Sequence, residues 1–182
     1  CRRDPLLQKS IAPGFSFRPA GGLHLSETRL TLKSILVICE GNHCRSPIAE
    51  ALLGSSLGPE FRVSSAGLTA LAGLPADIEA IRLMAEHGFD ITRHRGRQLT
   101  PAMALSADLI LVMEHTQKEW CERVVPSTRG RIFLLSHWLA TPPPEIADPF
   151  RRGPQAFRQA FDSITLSVAA WLPHLIHRQR SA

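Results

Sequence analysis

The stretch that most limits how this chain can fold is SILVICEGNHCRSPIAEALL, residues 34–53. The run up to Cys39 is short, almost wholly apolar and rich in β-branched residues, the pattern of a buried strand. From Ser46 onward Ile48, Ala51 and Leu52 recur at helical spacing, with Pro47 in a first-turn position that tolerates its missing N–H. Only a brief turn through Gly41 and Asn42 separates the two patterns. A strand that feeds a helix through so short a loop places that loop at the carboxyl edge of a sheet, where α/β folds hold their ligands.

The alternation continues along the chain. FRVSSAG (61–67) reads as a strand ending in glycine, and 76–87 as a helix with Ile78, Ile81, Leu83 and Met84 on one side and Gly88 as its C-cap. Thr100-Pro101 forms an N-cap and N1 pair. ADLILVM (107–113) and RIFLL (131–135) are two further strands, with a helix over 116–124 between them. A Pro-rich loop then leads to a last helix carrying Phe157, Phe161, Ile164, Val168 and Trp171, expected to stop at Pro173. The expected fold class is α/β: a single domain over 34–177 with a four-stranded parallel sheet flanked by helices, the anion loop following the first strand, and a C-terminal tail at 178–182. Residues 1–33 show neither a 2- nor a 3.6-residue period and are expected to form a flexible N-terminal arm.

Charge narrows the function classes. Of the net +5, the arm holds six Lys/Arg against two Asp/Glu, leaving only +1 for the remainder. A nucleic-acid surface on the folded part is therefore not expected. No signal-peptide core and no run of about 18 apolar residues is present, so a cytoplasmic protein without a membrane span is expected. Four scattered cysteines do not make a disulfide framework, and reduced thiols are the expectation.

Residues 39–46 read Cys-Glu-Gly-Asn-His-Cys-Arg-Ser. Successive N–H groups of such a loop, together with the helix dipole, form an anion site, and Arg45 can set two N–H donors on two phosphate oxygens. A thiol on its floor has its anion stabilised by the same donors, which makes Cys39 a candidate nucleophile. Ser46 can donate a hydrogen bond to that sulfur, Asn42 suits a left-handed turn, and Gly41 removes bulk. The proton for a leaving oxygen needs a carboxylic acid on a loop, and Asp148 in IADPF, shielded by Ile146, Pro149 and Phe150, is the candidate. Side chains alone supply this chemistry, so neither a metal nor any other cofactor is expected.

With CEGNHCRSP, SSAGL, HGFDITRHRGRQLT, ADLILVME and a DPF motif 109 residues beyond Cys39, residues 34–175 resemble the low-molecular-weight protein tyrosine phosphatases. AGLTALAGLPAD and SHWLA are similar to the bacterial branch that accompanies tyrosine kinases of exopolysaccharide or capsule export. The resemblance implies a phosphotyrosine protein as substrate, with such an autokinase as the expected partner. It implies that Cys39 forms a phosphocysteine, Arg45 binds phosphate, and Asp148 protonates the tyrosine oxygen and later activates water. Glu40, Gly41, Asn42, His43, Cys44, Arg45 and Ser46 form the phosphate loop. Cys44 matches a second loop cysteine able to form a disulfide with Cys39, and His94 a histidine that braces the loop. Leu71 and Phe150 fall where the family lines its cleft.

Three features depart from the pattern. His43 stands where an aliphatic residue is usual, Glu40 where an acid is rare, and Phe150-Arg151 where two tyrosines are common. Arg151 replaces an aromatic wall with a cation suited to acidic residues flanking a phosphotyrosine. The sequence contains no tyrosine, so the protein is not itself a tyrosine-phosphorylation target. The rival activities are phosphoarginine hydrolysis and arsenate reduction, the latter disfavoured because 67–113 lacks a cysteine. A silent phosphate-binding regulatory module would be expected to have lost Cys39, Arg45 or Asp148.

Overall fold

A computed structural model describes residues 32–180, with side chains up to Ile176; all but the last two residues of the expected arm, and residues 181–182, lie outside it. Strand β1 (Ser34–Cys39) sends Ile35, Val37 and Cys39 into one core and Leu36 and Ile38 into the other. Because both faces are covered, the strand needs no polar alternation, which explains its continuous apolar run. Helices α1 (Arg45–Ser56), α2 (Ile78–Glu86) and α5 (Gly153–Arg180) cover the first face, and α3 (Pro101–Ser106) and α4 (His115–Val124) cover the second. Ile48, Leu53 and Ile164 are fully buried in the first core. Each such side chain contributes about 1.5–3 kcal/mol relative to exposure.

The four strands are parallel, in the order β2-β1-β3-β4, with β2 spanning Arg62–Gly67, β3 Leu109–Val112 and β4 Ile132–Leu134. Cys39 lies opposite Gly67, and Ile38 opposite Val112. The chain leaves β1 for β2 on one side and then crosses to β3 on the other. The connections diverge above β1 and β3, and this reversal of order opens a crevice at the carboxyl ends of the strands. The expected sheet and the place of the loop are as found. The caps are also those expected: Thr100 Oγ1 accepts from Met103 N at 3.3 Å, and Gly88, at φ +81°, follows α2.

The last helix differs from the expectation. It does not end at Pro173 but runs through it to Arg180, so residues 178–180 are helical rather than tail. Proline removes one helix hydrogen bond and crowds the preceding turn, yet tertiary contacts hold the helix on both sides of it. Trp171 and Leu175 are buried, Trp171 Nε1 donates to Leu135 O at 2.7 Å, and Pro173 itself faces outward. Pro173→Ala restores the N–H without altering that buried face. It is expected to stabilise the fold by about 1–3 kcal/mol, seen as a higher urea midpoint at unchanged slope.

Candidate active site

The loop between β1 and α1 is held by its carbonyls. Cys39 O accepts from Leu68 N at 3.1 Å, Glu40 O from Thr69 N at 3.0 Å, Gly41 O from Leu71 N at 3.0 Å and His43 O from Asp77 N at 2.9 Å. Asn42 O accepts from His94 Nε2 at 2.9 Å. In a trans peptide the C=O and the next N–H point opposite ways. With five carbonyls turned outward, the amides of residues 40–44 face into the loop. Helix α1 begins there with no side chain capping it, so its own first N–H groups add to the same concavity. A ring of donors with the positive end of a helix dipole selects a tetrahedral oxyanion.

Two glycines let the surrounding backbone come this close. A Cβ on Gly67 would stand 2.7 Å from Glu40 O and 2.8 Å from Asn42 N, and one on Gly96 would stand 2.5 Å from Leu71 O.

Cys39 is buried at the floor, with its Sγ 3.0 Å from Ser46 Oγ. The direction of that bond follows from the network behind it. Asn42 Oδ1 accepts from Arg97 N at 2.8 Å, so its Nδ2 must be the donating end. Nδ2 donates to Ser46 Oγ and to Ser65 Oγ, both at 2.8 Å, and Ser65 in turn donates to Glu50. With Asn42 occupying a lone pair of Ser46, the serine proton is left for the Cys39 sulfur. Asn42 sits at φ +50°, the left-handed conformation its residue type tolerates.

Arg45 is 1% exposed. Burial works against its charge, but the Cys39 sulfur, the Glu114 hydrogen bond and the Asp148 and Glu114 carboxylates push its pKa above the ordinary guanidinium value. Nη1 donates to Glu114 and, at 2.8 Å, to Ile146 O; Nη2 donates to Asp148 Oδ2 at 2.7 Å. Glu114 follows β3 and Asp148 follows β4, so the sheet order brings two carboxylates to one cation.

Above Cys39 opens a cleft of about 180 Å³ lined by Glu40, Gly41, His43, Cys44, Thr69, Leu71, Asp148 and Phe150. Leu71 and Phe150 are both half-exposed walls. Glu40 points to the rim, where Thr69 Oγ1 donates to it at 2.6 Å. His43 Nε2 lies 3.5 Å from Asp77 Oδ2, and its ring meets Phe150 edge-on at 5.8 Å. Arg151 does not line the cleft; its guanidinium sits 5.1 Å from the Phe150 ring centroid. Arg93 and Arg95 are exposed, while Arg97 approaches Glu50 at 3.9 Å.

The description "low molecular weight phosphotyrosine protein phosphatase" names the family whose model matches residues 34–181. This chain belongs to that family. The probable low molecular weight protein-tyrosine-phosphatase EpsP of Ralstonia nicotianae is 46% identical over 144 residues, spanning 79% of this chain and 97% of its own. The tyrosine phosphatase Wzb from Escherichia coli K30, solved in complex with sulphate, is 41% identical with a TM-score of 0.75, over 79% of this chain and 99% of its own. The YwlE arginine phosphatase from Geobacillus stearothermophilus is 30% identical with a TM-score of 0.77, over 82% of this chain and 96% of its own.

For this family member the geometry also sorts the thiols. Cys44 is buried beside Cys39, and desolvation, reinforced by Asp77, Asp148 and Cys39 and opposed by Arg45, pushes its pKa far up. Cys121 lies in the second core, and burial followed by the Glu122 charge pushes its thiol up to about 11. A raised thiol pKa keeps the neutral form at physiological pH. Iodoacetamide at pH 7.5 is therefore expected to leave Cys121 unmodified in the folded protein, by mass spectrometry of digests, and to reach it only near pH 11 or on unfolding.

Glu50, Ser65, Gly67, Asp77, Gly96 and Glu114 were not singled out from sequence. One signal was available for two of them: Gly67 ends a strand and Glu114 follows one closely, and carboxyl ends of strands are where α/β sites form. Gly67→Ala forces the loop backbone to move. It is expected to cost about 1–3 kcal/mol in a thermal melt and to weaken inhibition by phosphate at least tenfold.

Proposed function

We propose that this protein hydrolyses phosphotyrosine in proteins through a phosphocysteine intermediate. The observation that carries this is the convergence of Cys39, the inward loop amides, Arg45 and Asp148 on one small cleft. Cys39 attacks phosphorus as a thiolate, the P–S bond forms, and the bond to the phenolic oxygen breaks while Asp148 supplies that oxygen's proton. Asp148 then takes a proton from water as the water oxygen attacks phosphorus. Cys39 leaves as a thiolate that the Ser46 hydroxyl stabilises, and inorganic phosphate departs.

At rest Arg45 spends an N–H on Asp148. An arriving phosphoryl dianion competes for that donor, and Asp148, released from the cation, takes a proton from solvent and faces the leaving oxygen. The sulfur is recessed below the Leu71 and Phe150 walls, so the phosphoryl group must arrive on a long side chain, and an aryl ring fits between two apolar walls.

The substrate we favour is an autophosphorylated tyrosine kinase of polysaccharide export, supported by similarity of the AGLTALAGLPAD and SHWLA stretches to that branch. We place the reaction in the cytoplasm because Cys39 works only as a reduced thiol; no helix among the described residues is long and apolar enough to cross a membrane. Cys44 would protect the nucleophile. Peroxide converts Cys39 to a sulfenic acid, and the Cys44 sulfur then displaces water to give a reducible disulfide.

Hydrolysis of p-nitrophenyl phosphate is expected to resist EDTA, to be blocked by vanadate and to vanish in Cys39→Ser; turnover by that variant would remove Cys39 as nucleophile. Asp148→Ala is expected to slow phenyl phosphate by about 10²–10⁴ and p-nitrophenyl phosphate far less, since nitrophenolate leaves without a proton. Phosphoarginine and arsenate assayed alongside phosphotyrosine decide among the rival activities.

A further inference from the structure

We infer that Arg151 is a specificity-determining residue that reads a carboxylate, a Glu or Asp side chain, next to the phosphotyrosine of the substrate protein. The inference rests on the phosphotyrosine reading above. Arg151 sits at φ +59°, in a turn closed by Arg152 N donating to Pro149 O at 2.9 Å. The third residue of such a turn takes the left-handed conformation, which normally selects glycine or asparagine. An arginine there departs from the local rule, and departures of this kind gather where a side chain has a task.

The guanidinium is placed rather than free. It lies over Phe150, 5.1 Å from the ring centroid, and the face of an aromatic ring attracts a cation. Phe150 is itself held: its N–H donates to Asp148 Oδ1 at 3.1 Å, and His43 meets its ring edge-on. The cation is thus attached to a wall of the substrate cleft. Among the described residues no carboxylate lies within 4 Å of Arg151. Asp148, three positions earlier, is already engaged by Arg45.

Glu40, which lines the same cleft, carries the opposite sign. Glu40 is exposed on the phosphate-loop side, where Thr69 holds it. A substrate with a carboxylate beside Arg151 gains a charge pair, and one that brings it to Glu40 meets repulsion. The recognised sequence is therefore acidic on one side of the phosphotyrosine. An exposed pair of this kind changes kcat/KM by up to about fivefold, and salt screens it.

The test measures kcat/KM on phosphotyrosine peptides identical except that Glu, Gln or Lys stands on either side of the phosphotyrosine. The wild-type protein is expected to prefer Glu over Gln on one side by about fivefold, with the ratio falling toward one near ~0.5 M salt. Arg151→Gln is expected to abolish the preference and Arg151→Glu to invert it in favour of Lys. Arg151→Gly, suited to the left-handed turn, carries the same comparison if either variant folds poorly. Arg129→Gln, on the far edge of the sheet, removes the same charge and is expected to leave the ratio in place. Equal rates on all wild-type peptides, or a Glu preference that survives in Arg151→Glu, overturn the role of Arg151 alone. No turnover of any peptide, with p-nitrophenyl phosphate still hydrolysed, overturns the phosphotyrosine reading and this inference with it.

Discussion

The side chain of Asn42 is the interaction on which the site depends. It is fully buried at a left-handed position and makes three side-chain hydrogen bonds: it accepts from Arg97 N and donates to Ser46 and Ser65. Those bonds join the phosphate loop to α1, to β2 and to the segment before α3. A buried polar network of this kind rigidifies only when every member is satisfied, and here each hydrogen has an assigned direction from Glu50 to the Cys39 sulfur. The same geometry that fixes the loop therefore also orients the donor a thiolate needs.

Around that network the architecture is a solution to one electrostatic problem. A loop that concentrates N–H donors, a helix N-terminus and a buried guanidinium is strongly positive, and an empty positive pocket is costly in a low-dielectric setting. Glu114 and Asp148 balance Arg45 from the carboxyl ends of β3 and β4. The balance is conditional for Asp148, because a phosphoryl dianion supplies the same charge with more acceptor oxygens. On the phosphotyrosine reading proposed above, substrate binding and release of Asp148 from Arg45 are in this way one event. Glu114 holds the same guanidinium from the carboxyl end of β3.

How much of this could be read from residues follows from the range over which each signal acts. β1, α1 and the loop between them were legible because an apolar run, a first-turn proline and a Gly-Asn turn are local signals. That Cys39, Arg45 and Ser46 share one loop followed from their spacing. The long-range partners did not. Glu50 looks like an ordinary polar position on helix α1 until the fold brings Ser65 and His94 to it. Gly67 and Gly96 show no turn conformation; they matter because neighbouring backbone comes within 3 Å of where a side chain would begin. Pro173 misled for the opposite reason, since its local preference to end a helix is outweighed by Trp171 and Leu175 packing on either side.

By itself the sequence determined the chemistry on offer: a cysteine, an arginine and a serine in one strand-to-helix loop, and an Asp-Pro on a later loop, because covalent spacing sets which groups share a turn. Tertiary structure decided how that chemistry is directed. The order β2-β1-β3-β4 brings Glu114 and Asp148 to Arg45, Gly67 and Gly96 admit the backbone that turns the loop carbonyls outward, and Asp77 and Phe150 give His43 its surroundings. These pairings join residues 25 to 107 positions apart, and no local preference in a chain specifies contacts at that range; only the packing of the sheet does.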